Sequence, residues 1–131
     1  VAQMLREARL KFTRELVGTL TIQSVSSDGI LINDRLWSET VALTTQEIIE
    51  NWPPVMISEL TEAHFSMLLE HRPELIVIGT GKDGEFPPRE LMFAFARRGV
   101  GLELMDTAAA ARTFNVLAGE GRHVAAVLYL D

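Results

Sequence analysis

Leu75-Ile76-Val77-Ile78-Gly79-Thr80-Gly81, followed nineteen positions later by Val100-Gly101-Leu102-Glu103-Leu104-Met105-Asp106-Thr107, decides the fold. Leu75 to Ile78 is a short, fully apolar run, the signature of a strand buried on both faces, and Val100 to Met105 reads as a second apolar strand. Between them Pro87-Pro88 opens a helix to Arg98, and Gly99 stops it. Proline at a helix start and glycine just past its end follow from the missing amide of one and the free φ of the other. Beyond the second run, Asp106 or Thr107 caps a helix through Ala118, with Gly119 or Gly121 as its stop. His123 to Leu130 reads as a last strand. Strands separated by helices are βαβ units with right-handed crossovers and parallel neighbours.

Upstream the pattern is different. Ser58 to His71 carries Phe65, Leu68 and Leu69 at helical spacing, with Ser58 or Thr61 as cap. Trp52-Pro53-Pro54 interrupts regular structure. Before it, Thr19 to Val25 is β-prone, Asp28-Gly29 signals a hairpin, and Ile30-Leu31-Ile32 resumes the strand. Asn33-Asp34 turns again, and Leu36 to Thr44 is read as a third strand of an antiparallel meander. The expected fold is α/β: a three-layer single domain over residues 1–131, with a mixed central sheet, an N-terminal β-meander and C-terminal βαβ units. Residues 1–10 are expected to form a flexible arm.

Composition excludes several function classes. The chain has 131 residues, 47% of them hydrophobic and 23% charged, which is ordinary globular usage. The net charge is −6 and both halves are acidic, so there is no basic stripe to displace counterions from a phosphate backbone. Nucleic acid is not an expected partner. Without cysteine there is no disulfide framework, no thiolate catalysis and no cysteine-ligated metal. No apolar run reaches the ~20 residues of a membrane span. The first residues have neither a signal-peptide core nor a basic presequence, and the expected location is cytoplasmic.

Residues 79–84 spell G-x-G-x-x-G directly after a strand. A pyrophosphate site of that type needs its helix to begin within the glycines, whereas Phe86-Pro87-Pro88 delays the helix and removes amide donors. Dinucleotide binding is not expected, nor any other cofactor. The same loop supports a different reading. If strands 75–80 and 100–105 are parallel neighbours, their carboxyl ends bring Gly79, Thr80 and Gly81 to the start of the helix near Thr107. Open α/β sheets hold ligands at such edges, and a helix start offers free N–H groups. Gly79, Thr80, Gly81, Asp106, Thr107, Arg112 and Asn115 are the candidate ligand-binding residues. The bland alternative is that Asp106 and Thr107 only cap, and that Arg112 pairs with a carboxylate.

No catalytic set is expected. His64 and His71 lie seven residues apart, about 10 Å along one helix, too far for one metal. There is no G-x-S-x-G elbow, and nothing fixes Glu85, Glu90, Glu103 and Asp106 as paired carboxylates. Helix 88–98 is apolar on two sides. Leu91, Ala94 and Phe95 form its core stripe, while Met92 and Phe93 make the other side apolar as well. Those two residues are the candidate partner-binding surface, unless the domain covers them itself.

The segments Arg72 to Gly81, Phe86 to Leu91 and Gly101 to Leu117, with Trp52-Pro53, resemble the family of small uncharacterised proteins that includes mitochondrial respiratory complex I assembly factor 3. The likeness spans residues 10–130. It implies a three-layer α/β fold around a mixed sheet, no established enzymatic activity, and a role in complex assembly through protein contacts. Many members carry cysteine in the alanine-rich block where this chain has Ala111, so thiol chemistry is not a required role here. The chain also shows no mitochondrial presequence, which points to a bacterial-type relative. The expected function is a non-enzymatic interaction module that assists assembly of a respiratory or other membrane-associated complex. The alternative is a small-anion or metabolite binder, or an enzyme, using the 79–84 loop and the helix start near 107. A homodimer is the default assembly.

Overall fold

A computed structural model of the chain describes residues 19–82 and 84–130; the arm expected over residues 1–10 lies outside them. The strands are β1 (Ile22–Ser26), β2 (Gly29–Ile32), β3 (Arg35–Trp37), β4 (Val41–Thr44), β5 (Ile48–Ile49), β6 (Leu75–Gly79), β7 (Gly101–Met105) and β8 (Val124–Leu128). The helices are α1 (Ser66–Glu70), α2 (Arg89–Arg98) and α3 (Thr107–Gly119).

β5-β4-β8-β6-β7 form one mixed sheet, in which β6 runs parallel to both β7 and β8, and β4 runs antiparallel to β8. The chain moves from β6 to β7 on one side and then back across β6 to β8. Right-handed crossovers in opposite directions must place their helices on opposite faces, and they do. Ala110, Ala111 and Phe114 of α3 cover Leu75, Val77 and Ala126 on one face. Leu91 and Phe95 of α2 cover Ile76, Ile78 and Val127 on the other, with Phe65 and Leu68 beside them. β6 and β8 are buried along their whole length, as their uninterrupted apolar sequences require.

The meander forms its own sheet, β1-β2-β3, and does not extend the central one. Ile22, Ile30 and Ile32 join the α3-side core, so the meander and α3 share one outer layer. The stretch 36–44, expected as one strand, is two. Leu36 and Trp37 stay with β2, Ser38 to Thr40 carry the chain across, and β4 enters the central sheet against β8. Asn33 and Asp34 turn with φ of 44° and 69°, the paired left-handed conformation that suits a two-residue hairpin. The first hairpin turns at Ser27-Asp28, one residue earlier than expected, because Ser26 pairs with Gly29. Gly29 is needed for another reason: its φ is +142°, and a Cβ there would lie 2.3 Å from the Trp37 carbonyl oxygen.

The expected helix over 58–71 is broken into a 3₁₀ turn at Ile57–Glu59, another at Glu62–Phe65, and α1. Thr61 starts the second turn through a reciprocal cap. Its side chain takes the His64 N–H, and its own N–H donates to His64 Nδ1 at 2.9 Å. Local capping chemistry thus overrides the 3.6-residue period.

Glu74 clamps the start of β8 to that of β6. Its carboxylate accepts from the His123 N–H and from Arg122 Nε, each at 3.2 Å. The backbone hydrogen bond from His123, aided by Arg122, holds this exposed carboxyl below its usual range. A carboxyl whose folded-state value is depressed stabilises the fold above its unfolded value, and that contribution disappears as pH falls through the folded one. Glu74→Gln should therefore flatten the acid limb. Thermal melts at pH 7 and pH 3 check this: the drop in Tm between them should be smaller in the variant than in the parent chain.

Candidate functional site

β6 and β7 are parallel neighbours with Gly79 opposite Met105, so their carboxyl ends open on one sheet edge. There the glycine loop meets the start of α3. The Thr80 N–H and hydroxyl both donate to the Met105 carbonyl, at 2.8 and 3.2 Å. The Gly81 N–H donates to Thr107 Oγ1 at 2.9 Å, and that hydroxyl donates to the Tyr129 carbonyl at 2.6 Å. The Tyr129 N–H in turn donates to the Gly79 carbonyl at 3.0 Å. Thr107, only 3% exposed, therefore fastens the ends of β6 and β8 to the first residue of α3. The contact is close enough to demand glycine at 79, where a Cβ would sit 2.8 Å from Thr107 Cα. Gly81 turns the chain with φ of 72°.

Asp106 is the N-cap, its carboxylate accepting from the Ala109 N–H at 2.9 Å. The helix start therefore carries its own negative charge, favourably placed against the dipole. Between it and the first hairpin lies a groove of about 550 Å³, lined by Ser26, Ser27, Gly81, Lys82, Asp106 and Thr107 among others. The serines and Lys82 were not among the expected residues. The serines reach the groove only because the meander folds over α3, a contact with no local signal in the sequence.

Arg112 and Asn115 lie one and two turns further along α3, in a smaller depression of about 230 Å³ against β1. Arg112 is exposed. The Asn115 side chain is engaged by backbone: its Nδ2 donates to the Ile22 carbonyl at 2.8 Å, and its Oδ1 accepts from the Ile22 N–H at 3.0 Å. It pairs with β1 as a neighbouring strand would, holding the meander onto α3. The seven candidate ligand residues thus fall into two groups, five around the Gly81–Thr107 contact and two on the α3–β1 seam.

Two of the three histidines are spent on structure. His64 caps, and His71 lies 3.0 Å from the Met67 carbonyl and 2.6 Å from a Glu47 carboxylate oxygen. Among the described residues there is no group of three or more His, Cys, Asp or Glu side chains placed to hold a metal ion. None of the described helices is long and apolar enough to cross a membrane.

On the opposite face, the second apolar side of α2 is exposed among the described residues. Met92 is 39% and Phe93 55% exposed, and Phe86 on the approach to the helix is 73% exposed. Arg98 pairs with Glu62 and ties the helix end to the capped turn.

Comparison with known proteins gives these features a context. The family described as protein of unknown function (DUF498/DUF598) matches residues 22–129. The human protein NADH dehydrogenase (ubiquinone) 1 alpha subcomplex assembly factor 3 is 35% identical over 117 residues, covering 88% of this chain and 63% of its own length. The chain thus spans a little under two thirds of that relative. The 13 kDa major membrane protein of Francisella tularensis is 31% identical over 99 residues, covering 75% of this chain and 80% of that one. A Xanthomonas campestris protein solved by NMR superposes with a TM-score of 0.77 at 36% identity, covering 85% of this chain and 84% of the other.

Proposed function

The chain belongs to the DUF498/DUF598 family of proteins of unknown function, and on that premise we propose that it is a protein-interaction module that assists assembly of a membrane-associated, multisubunit complex. The observation that carries this reading is the exposed Met92–Phe93 side of α2 in a chain whose human relative is named an assembly factor. Large apolar side chains cost little to expose singly, but two adjacent ones on a rigid helix, with Phe86 leading into it, offer anchors of the kind that dominate protein interfaces. The module acts without chemistry of its own, from the aqueous side of its partner. The groove at the α3 start is secondary in this reading, because the Asp106 carboxylate stands where an anion would have to sit.

Changing both anchors, Met92→Glu and Phe93→Glu, tests it. Recovery of partner subunits with the tagged chain from its native host should fall at least about tenfold, corresponding to a loss of ~1.4 kcal/mol or more. The unfolding midpoint should barely move, since both side chains are surface groups. Undiminished recovery would remove this face from the interface.

A further inference from the structure

The central sheet ends at β7, whose one hydrogen-bonded neighbour among the described strands is β6. The Gly101 N–H donates to the Glu74 carbonyl and the Thr80 N–H to the Met105 carbonyl, so residues 101 and 105 face inward along the ladder. Alternation along a strand therefore turns the N–H and C=O groups of Leu102 and Leu104 outward from the sheet. At the other end the sheet finishes in β5, only two residues long. β7 has five, pairs with β6 in unbroken register and contains no proline. Exposed edges of this kind are normally blunted by proline, bulges or charge. Here the single device on the strand is Glu103, central and exposed, whose side chain makes no hydrogen bond or ion pair with the described residues.

We propose that the free edge of β7 receives an extended segment of a protein partner, adding a sixth strand and placing a lysine or arginine opposite Glu103. The inference rests on the assembly reading for the existence of a partner, and it names where and how that partner binds. Strand addition draws affinity from the main-chain bonds of Leu102 and Leu104, and specificity from alternate side chains. On the α2 side those side chains meet Leu102 and Leu104, both half-buried, which makes that side of the incoming segment apolar. On the other side the central position faces Glu103, which makes it basic. Opposite charges directly across a ladder stabilise it, and like charges destabilise it. That rule argues against a second copy of this chain as the occupant. Two β7 strands paired about a two-fold axis, in the register that uses all five residues, would set Glu103 against its own copy.

Amide hydrogen exchange, read by NMR on the full chain, tests the edge. The probes are two synthetic peptides of about nine residues, a typical long strand, alternating valine and threonine with either lysine or glutamate at the centre. The lysine peptide should slow exchange at Leu102 and Leu104 by at least about tenfold while leaving the β4 and β8 amides unchanged. The glutamate peptide should not, and Glu103→Lys should reverse the preference. Absence of protection by either peptide overturns the proposal. So does protection already present without peptide, which means that another part of the chain covers the edge. Protection that instead rises with protein concentration assigns the edge to a second copy and overturns it as well. If the edge fails while the Met92 and Phe93 changes still cost partner recovery, the assembly reading stands and the strand addition falls. If both fail, both fall.

Discussion

Thr107→Val should destabilise the domain by about 2–4 kcal/mol, and Thr107→Ser by less than about 1. Valine keeps the shape of threonine, so the difference isolates the hydroxyl. In the native chain that hydroxyl accepts from the Gly81 N–H and donates to the Tyr129 carbonyl, in a place that is almost fully buried. Removing it leaves two backbone groups facing a methyl, and a buried polar group without a partner costs about 1–3 kcal/mol. Serine keeps both bonds and loses one methyl group. Equilibrium unfolding in urea at constant m-value measures the difference. Equal midpoints for the serine and valine variants would mean that water replaces the hydroxyl and that the edge is not held by it. The result bears on function too, because the same contact fixes the loop 79–82 beside the groove at the α3 start.

A larger loss, about 3–5 kcal/mol, is expected for Phe65→Ala. Phe65 is fully buried beneath the central sheet and meets two aromatic rings edge-on, Trp52 at 5.2 Å and Phe95 at 5.1 Å between centroids. Edge-to-face pairs add about 0.5–1.5 kcal/mol each beyond the burial of area. The position is sensitive because its backbone contributes little. Phe65 ends a 3₁₀ turn, and a helix as short as α1 is not stable alone, so the ring anchors the segment that covers β4 and β8. Phe65→Leu, which retains most of the apolar volume, should cost roughly half as much or less. Thermal and urea unfolding of the pair of variants decide the matter. A loss under about 1.5 kcal/mol for alanine would show that the layer collapses around the cavity and does not depend on the ring.

Much of the framework was legible in the residues alone. The run at 75–79 is apolar throughout and lies buried along its whole length, as its composition requires, whereas the run at 101–105, also expected to be a buried strand, is the sheet edge and leaves Gly101 and Glu103 exposed. Pro87-Pro88 and Gly99 bracket α2, and Asp106 marks the start of α3, because capping groups act on their immediate neighbours. The meeting of Gly81 and Thr107 followed from the parallel order. Other features were closed to that reading. Nothing within 36–44 says that Trp37 and Val41 belong to different sheets; the division exists because Ser38 to Thr40 must pass between two layers. The apolar spacing over 58–71 fits one helix, and only the geometry of the Thr61–His64 cap breaks it.

Asn115 draws the boundary most sharply. On its helix it is a polar residue two turns from a cap, free to serve a ligand. In the folded chain both ends of its amide are taken by Ile22, 93 residues away. The sequence by itself determined the elements whose signals are local: apolar runs, caps, prolines and glycines. Only the tertiary structure decided which polar groups are spent on the fold, which strand ends the central sheet among the described residues and which apolar side of α2 is exposed. Those outcomes depend on partners far along the chain, and composition within any one window does not encode them.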